Sequence, residues 1–268
     1  MSLYGARMAE RRQEESSRPH ALDIYERICE DTAEELDRPE GSLVYSGLFA
    51  GFTIGLSALA VALTTASLTP EVQSTAFVAA LLYPIGYVAV IIGRSQFFTE
   101  NTLYPVMLSL RRKEFLNRTG RLWGIVFVTN LVGAFLFAML AVTTGALDQS
   151  VQNELTSNGV KYTEGAFIDT FWSAVLTGFL LATVAWLVEG CDTVTGRVAV
   201  IWSLTFFVSL ASLDHCIATT VTAFSALLDG ELALGSLLGW LAPAVLGNVL
   251  GGVLIVASIN YGQVREED

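Results

Sequence analysis

Two short polar segments interrupt the most apolar parts of the chain. The first, SQFFTEN, runs from Ser95 to Asn101 and directly follows Arg94, and the second, LDHCIA, contains the adjacent Asp214 and His215. Ionisable side chains within apolar, membrane-length stretches mark pathways for ions or substrates. A histidine beside a carboxylate is suited to donate a hydrogen bond or a proton to a passing anion. The alternative is a buried histidine that only bonds a loop carbonyl.

The composition of the chain is typical of a protein with several membrane-spanning helices. Of the 268 residues, 53% are hydrophobic and 15% are charged, and the mean hydropathy is +0.54, which is too apolar for an ordinary soluble domain. Crossing the hydrocarbon core as a helix takes about 20 apolar residues. Six stretches meet this length and predict an all-α membrane protein: 43–66, 74–110, 121–144, 167–188, 198–228 and 236–261. The second and fifth contain the polar segments, so both helices are predicted to be broken.

Basic residues predict the orientation of these helices in the cell membrane. Of the 15 lysines and arginines, 13 fall on one side of the predicted helices and only Lys161 falls on the other, while Arg94 lies within the membrane. Because basic loops stay in the cytoplasm, both termini are predicted to be cytoplasmic. The 13 residues are Arg7, Arg11, Arg12, Arg18, Arg27, Arg38, Arg111, Arg112, Lys113, Arg118, Arg121, Arg197 and Arg265. The first 40 residues are polar and show no signal peptide.

Three regions are predicted along the chain. Residues 1–41 form a cytoplasmic N-terminal arm, residues 42–262 form the transmembrane domain, and residues 263–268 form a cytoplasmic tail. The arm is expected either to contain a short amphipathic helix that lies along the membrane surface or to be a solvated tail. The apolar residues of that helix are Leu22, Ile24, Ile28 and Leu36.

Charge and cysteine content exclude some classes of site. Cys29, Cys191 and Cys216 have no metal-ligand spacing, so no metal, cofactor or disulfide is expected. The net charge of −11 suits a high-salt environment and gives no reason to expect a nucleic-acid partner.

Matched motifs in the two halves of the transmembrane domain indicate an internal repeat. Asn130 and Gly133 of the third helix match Asn248 and Gly251 of the sixth, and the Gly-Phe pair at 51–52 matches the pair at 178–179. Three helices repeated once place the halves in opposite orientation, which is the 3+3 inverted repeat of many transporters. In such folds the two broken helices meet near the midplane, so the polar segments are expected to form one site.

Most of the remaining polar side chains are expected to hold the broken helices in place. Thr99, Glu100 and Asn101 are positioned to cap the second half of the broken helix. Asn130 and Asn248 are expected to bond the loops at the breaks; for Asn248 a role as a pore-lining donor is an alternative. Arg94 cannot lose its charge, and its candidate partners are Glu100, Asp214 and Glu189, or water at an edge of the domain.

The motifs that carry these residues resemble those of a known family. SQFFTEN at 95–101, LDHCIA at 213–218 and LGNVLGG at 246–252 resemble motifs of the formate/nitrite transporter family, in order, across roughly residues 43–261. The resemblance implies an aquaporin-like protomer that assembles as a homopentamer with one pore in each protomer. It also implies conduction of small monovalent weak-acid anions such as formate, nitrite, acetate or hydrosulfide, together with a proton.

The resemblance also implies roles for single residues. His215 would be the central pore histidine, Thr99 would line the pore and bond that histidine, and Asn248 would contribute a donor. Lys161, in an external loop, would attract anions. The residues at the hydrophobic constrictions would be Phe98, Tyr83 and Tyr87.

The sequence departs from the family pattern at several of these positions. Asp214 stands where glutamate is usual before the histidine, and Val208 stands where a constriction phenylalanine is usual, which predicts a wider slit. Tyrosines replace apolar residues at the other constriction positions. Arg94 and the segment TENT at 99–102 are typical of a divergent branch.

Two other functions are compatible with the same residues. A neutral-solute or water channel would use the same architecture, although the paired Asn-Pro-Ala loops of aquaporins are missing. An intramembrane hydrolase would use Ser95 and His215, but Ser95 follows Gly93-Arg94 and precedes Gln96 rather than lying in a Gly-x-Ser-x-Gly elbow.

Overall fold

The computed structural model describes residues 19–68 and 74–267. Within these ranges the regular structure is helical, with no strand. The first 18 residues of the predicted arm, with Arg7, Arg11, Arg12 and Arg18, lie outside the described residues, as does Asp268 of the predicted tail.

The predicted transmembrane stretches form helices close to the expected bounds. Among the described residues, five helices are long and apolar enough to cross a membrane. The fifth predicted stretch begins with a shorter helix of 17 residues that continues beyond a break. The elements are α2 (Glu40–Thr53) and α3 (Gly55–Ser67), α4 (Thr75–Leu82) and α5 (Pro84–Ile92), α6 (Tyr104–Arg111), α7 (Leu116–Thr143), α9 (Phe167–Glu189), α10 (Val194–Leu210), α11 (Ala218–Asp229), α12 (Leu234–Leu250), a π-helical turn (Gly251–Ala257) and α13 (Ser258–Glu267).

Both predicted breaks are present. The second stretch stops at the end of α5 and resumes as α6 after a 3₁₀ turn at Glu100–Thr102, and the fifth stops at the end of α10 and resumes as α11. Each break starts with a non-glycine residue in the left-handed region, Arg94 with φ 52° and Ser212 with φ 51°. This conformation costs about 1–2 kcal/mol for a residue with a Cβ, so the surrounding contacts must hold both turns in place.

Two glycines allow close packing between α2 and α7 and between α9 and α12. A Cβ on Gly51 of α2 would overlap the carbonyl oxygen of Asn130 in α7, and a Cβ on Gly178 of α9 would overlap that of Asn248 in α12. Only glycine allows the two backbones to approach this closely. Backbone contact therefore explains why glycine is present at positions 51 and 178.

Two further helices cover the ends of the bundle. Helix α1 (Ala21–Leu36) packs against α6 and α13 at one end, called here the terminal face. Helix α7 is 28 residues long, so at 1.5 Å per residue it reaches about 42 Å to the opposite end, the far face. There α8 (Gln149–Thr163), in a segment expected to be a loop, packs on α3 and α11.

Helix α1 is the amphipathic helix predicted within the arm. Ile28 and Leu36 are buried against the bundle, together with Tyr25 and Cys29. Burial raises the pKa of the Cys29 thiol and of the Tyr25 hydroxyl above their usual values. The buried face of α1 therefore contacts protein, while contact between this helix and a membrane surface stays a prediction.

Candidate pore site at the two helix breaks

Asn130 holds the first break. Its side-chain nitrogen donates to the carbonyl oxygens of Gly47 (2.8 Å) and Gln96 (3.0 Å), and its Oδ1 accepts from the backbone N–H of Phe98 (2.9 Å). The hydroxyl of Ser46 accepts from the backbone N–H of Gln96 at 3.0 Å. A helix broken inside a membrane leaves backbone groups without helical partners, and these bonds satisfy several of them.

Asn248 holds the second break with the same bonds. Its side-chain nitrogen donates to the carbonyl oxygens of Ala174 (2.8 Å) and Asp214 (3.1 Å), and its Oδ1 accepts from the backbone N–H of Cys216 (2.9 Å). Ser173 accepts from the N–H of Asp214 at 2.9 Å, as Ser46 does at the first break. Both hydrogens of the Asn248 amide are thus engaged, and the donor role predicted for it would require one of these bonds to break.

A hydrogen bond between Thr99 and His215 joins the two breaks. The Oγ1 of Thr99 lies 3.2 Å from Nε2 of His215, and the exposed fraction is 1% for the threonine and 0% for the histidine. The Nδ1 of His215 accepts from the backbone N–H groups of Ile217 (3.0 Å) and Ala218 (2.9 Å). Residues 116 positions apart in the chain therefore meet at one buried point.

The hydrogen bonds of His215 define its tautomer. Because Nδ1 accepts two backbone N–H groups, it carries no hydrogen, and the neutral ring has its hydrogen on Nε2. Nε2–H then donates to Thr99, whose own hydroxyl hydrogen has no acceptor among the described residues. A cationic His215 would place a hydrogen on Nδ1 between two amide donors, so this geometry favours the neutral ring. The pair presents one free hydroxyl donor in a buried environment.

Aromatic rings surround His215 on two sides. Phe97 stacks on the imidazole at 5.4 Å between centroids, and Tyr87 meets it edge-on at 5.7 Å. Phe98, the predicted constriction residue, packs instead on Trp123 and Phe127 of α7. Phe97 was not predicted as a site residue. Its position two residues before Thr99 was the only signal for it in the sequence.

The carboxylate of Asp214 bonds a partner other than its neighbour in sequence. Its Oδ1 accepts from the indole N–H of Trp240 at 2.8 Å, and no hydrogen bond joins it to His215 within the described residues. Trp240 was not predicted as a site residue. Val208 is buried at the end of α10, where its carbonyl accepts from the N–H of Leu213 at 2.9 Å.

The predicted cap of α6 is absent. No side chain of Thr99, Glu100 or Asn101 caps this helix. A 3₁₀ turn leads into it instead, in which the N–H of Leu103 donates to the carbonyl oxygen of Glu100. Asn101 structures the loop differently: its side chain donates to Gln96 (3.1 Å), and its carbonyl accepts from Trp123 (2.7 Å). Glu100 has no side-chain hydrogen bond to any described residue.

Arg94 pairs with a residue that was not predicted. It is 77% exposed in its side chain, and its Nη2 lies 3.2 Å from Oδ2 of Asp31 in α1. None of the predicted partners Glu100, Asp214 and Glu189 lies within ion-pair distance of Arg94. The left-handed backbone turns this side chain outwards, towards the terminal face, so the partner came from a helix outside the predicted transmembrane stretches.

A cavity opens from the terminal face towards the first break. Helix α1 forms one wall, and Gln96 at the break donates to Glu35 of α1 at 2.7 Å. The charged residues of the lining are Asp31, Glu34, Glu35, Glu100, Glu189, Arg94 and Arg197. Acidic groups therefore outnumber basic ones at this entrance.

The far face carries the remaining predicted residue. Lys161 is exposed on α8. Its neighbour Tyr162 lies beside the second break. The pKa of Tyr162 is raised to about 12, first by burial and then by the charge of Asp214, against a hydrogen bond with Ser212 that lowers it. Ser95, the serine of the hydrolase alternative, has no hydrogen bond with His215, whose two ring nitrogens are already engaged.

Comparison with known proteins assigns this arrangement to a family. The family model described as formate/nitrite transporter matches residues 22–262. An inner membrane protein of Escherichia coli, YfdC, is 27% identical over 92% of this chain and 80% of its own length. A probable formate transporter of Methanothermobacter thermautotrophicus is 26% identical over 88% of this chain and 93% of its own.

Solved structures show the same fold. An FNT family ion channel superposes with a TM-score of 0.76 at 20% identity, covering 91% of this chain and 96% of the other. A pentameric formate channel with formate bound gives a TM-score of 0.73 at 19% identity, over 85% and 98% of the two chains.

Proposed function

Because the chain belongs to the formate/nitrite transporter family, we propose that it conducts small monovalent weak-acid anions across the cell membrane together with a proton. Formate, nitrite, acetate and hydrosulfide define the substrate class. The observation that carries this proposal is the buried hydrogen bond between Thr99 and His215, which joins the two helix breaks at 3.2 Å.

Donors at this point offset part of the cost of removing an anion from water. An isolated charge is very costly to bury, and hydrogen-bond donors reduce that cost. As the substrate passes, the free hydroxyl hydrogen of Thr99 donates to it, while Nε2–H of His215 holds the hydroxyl oriented. A substrate that reaches the ring accepts the bond from Nε2–H in place of Thr99.

In this proposal the proton enters from the aqueous side together with the substrate. Neutral His215 has only its Nε2 hydrogen, and giving that up would leave an imidazolate anion in a buried site. The weak acid therefore crosses the buried region either as its neutral form or as an anion held by the two donors. His215 acts as a hydrogen-bond donor and not as the source of the proton.

The other predicted residues, together with Gln96 and Phe97, have supporting roles. Asn130, Asn248 and Asp214 position the two breaks, and Lys161 attracts anions at the far face. Asn101 and Gln96 hold the first loop, and Arg94 links it to α1. The hydrophobic constrictions are formed by Phe97, Phe98, Tyr83, Tyr87 and Val208.

Assembly and orientation follow from the same proposal. The chain assembles as a homopentamer with one pore per protomer, and the terminal face is cytoplasmic. Large apolar side chains on the outside of the bundle support this, since they suit contact with lipid or a neighbouring protomer; examples are Phe49 (58% exposed), Trp172 (57%) and Leu238 (54%).

Flux in proteoliposomes tests the proposal. Wild-type protein is expected to move formate, nitrite and acetate faster than empty vesicles, and His215→Ala to lose most of this flux. His20→Asn is the matched control, because His20 is the only other histidine and lies at the start of α1, outside the breaks. Wild-type flux no faster than that of empty vesicles for every anion would overturn the proposed function.

A neutral-solute channel is the second candidate, and the acidic cavity favours it. Five acidic and two basic residues line the entrance at the terminal face, and this excess repels anions more than neutral molecules. Osmotic swelling separates the two functions: rapid swelling in glycerol or water gradients, with no anion flux, would support the neutral-solute channel.

A further inference from the structure

Two tyrosines form a hydroxyl pair beside the candidate pore site. The hydroxyls of Tyr83 and Tyr87 lie 2.8 Å apart. The residues are four positions apart on the helical segment of α4 and α5, so their side chains share one face. Tyr87 is fully buried, whereas Tyr83 is half-buried.

The pair lies in line with His215. Tyr87 contacts the imidazole edge-on at 5.7 Å and Phe97 edge-on at 6.0 Å. The chain runs from the far face at Thr75 towards the first break, so Tyr83 lies one turn nearer to the far face than Tyr87. From that face the order is Tyr83, Tyr87 and then His215 with Thr99.

The two tyrosine hydroxyls have two hydrogens, and the bond between them uses only one. A single hydrogen bond joins the two hydroxyls, and it uses the hydrogen of one of them. Neither hydroxyl bonds any other described residue. Whichever tyrosine is the donor, the other hydroxyl hydrogen remains available to a passing molecule, in surroundings made of aromatic rings.

We propose that the Tyr83–Tyr87 pair determines specificity by donating to substrates that accept hydrogen bonds through oxygen. The inference rests on the proposed function and narrows its substrate class to weak oxyacids, such as carboxylic acids, over their sulfur analogues. Sulfur is a weak hydrogen-bond acceptor, so a sulfur analogue gains less from this donor. Apolar side chains at the same positions would not distinguish the two.

Acetate and dithioacetate test the pair, because dithioacetate keeps the charge and the planar shape but has sulfur in place of both oxygens. The measurement is the ratio of acetate to dithioacetate flux in proteoliposomes, corrected with empty vesicles. We expect the wild type to favour acetate, and Tyr83→Phe combined with Tyr87→Phe to lower the ratio by about threefold to tenfold, the range for one ordinary hydrogen bond. The change from tyrosine to phenylalanine removes only the hydroxyls, so the larger size of sulfur affects both proteins alike.

The single variants give a further distinction. Replacing one tyrosine with phenylalanine frees the hydrogen of the other, so each single variant is expected to keep the ratio within about twofold of the wild type. Tyr45→Phe is the matched control: Tyr45 is 76% exposed on α2 and outside the proposed path.

The possible failures are distinguishable. If the wild type moves both ions and the double variant keeps the wild-type ratio, the specificity proposal is overturned while the proposed function stands. Equal flux of the two ions through the wild type overturns the specificity proposal without any variant. If the wild type moves neither ion nor formate nor nitrite, the proposed function itself fails.

Discussion

Asn130 and Asn248 lie 118 residues apart in the sequence and make the same three hydrogen bonds at the two helix breaks. Each donates twice to backbone carbonyls, one in a neighbouring helix and one in its break, and each accepts from a backbone N–H two residues further along. Both are fully buried. These bonds explain how two segments inside membrane-spanning helices can be non-helical: the asparagine side chains bond backbone groups that have no helical partner.

Changing Asn248 to aspartate is expected to destabilise the protein. Aspartate keeps the acceptor for Cys216 but loses both donated bonds and faces two carbonyl oxygens. At about 1–3 kcal/mol for each of the two buried carbonyl groups left without a partner, we expect a loss of roughly 2–6 kcal/mol. The midpoint of thermal unfolding in detergent measures this. Asn260→Asp is the control, since Asn260 makes one bond, to Val256, within α13 and its preceding turn; equal midpoints for the two variants would contradict the prediction.

Alanine at Gly178 is expected to disturb packing at the same point. Its Cβ would overlap the carbonyl oxygen of Asn248, and such overpacking costs about 1–3 kcal/mol. Gly124→Ala is the matched control, because a Cβ there meets nothing within 4 Å and alanine in a helix is favoured by about 0.5–1 kcal/mol over glycine. Thermal unfolding of both variants is the measurement, and a Gly178→Ala protein as stable as Gly124→Ala would rule out the close backbone contact.

Removing the hydroxyl of Thr99 is expected to slow anion flux and to lower stability by about 1–3 kcal/mol, because it leaves the buried Nε2–H of His215 without its acceptor. Thr99→Val keeps the shape but removes the free donor next to His215, and one hydrogen bond of about 0.5–1.5 kcal/mol corresponds to roughly a threefold to tenfold decrease. Thr99→Ser restores a hydroxyl and should recover most of the flux. Formate uptake by proteoliposomes is the readout, with the exposed Thr143→Val as control. Unchanged uptake by Thr99→Val would exclude the hydroxyl from the path.

Glycine at Arg94 is expected to leave stability unchanged or to increase it. The exposed ion pair with Asp31 contributes at most about 1 kcal/mol, whereas the left-handed backbone at φ 52° costs a residue with a Cβ about 1–2 kcal/mol. Arg94→Gly removes both the ion pair and the cost of the left-handed backbone, whereas Arg94→Val removes the ion pair and keeps the backbone cost. The two unfolding midpoints should therefore differ, with the glycine variant higher; equal midpoints would show that the left-handed backbone costs little, and a glycine variant below the wild type would show that the ion pair dominates.

Alkaline pH is expected to weaken the contact of α8 with the second break. The pKa of Tyr162 is raised from 10.0 to about 12, so its neutral form is favoured in the folded protein. The stability from this shift is fully present below pH 10, and it is lost as the pH rises from about 10 to about 12. Tyr162→Phe should show a shallower fall of the unfolding midpoint over that range, and Tyr45→Phe should fall as the wild type does. Parallel curves for Tyr162→Phe and the wild type would contradict this prediction.

Most of the fold could be predicted from local features of the sequence. Apolar length predicted the membrane-length helices, and polar residues within apolar stretches predicted the breaks at SQFFTEN (95–101) and LDHCIA (213–218), because neither feature depends on distant contacts. The asparagines were also predictable, since their repeat is visible as a spacing. The contact between Thr99 and His215 came from resemblance to the formate/nitrite transporter family, because spacing alone does not show which residues of two loops meet.

The sequence by itself therefore determined which apolar segments are helical, where two of them break, and which polar residues lie at the breaks. Only the tertiary structure decided the partners: Arg94 with Asp31, Asp214 with Trp240, Phe97 with His215, and Tyr83 with Tyr87. It also decided that α6 has no side-chain cap and that Asn101 bonds Gln96 and Trp123. The physical reason is range. Helix formation and hydrophobic length are local properties of a segment, whereas the partner of a buried or turned-out polar group depends on which distant segments the packed backbone brings within about 3 Å.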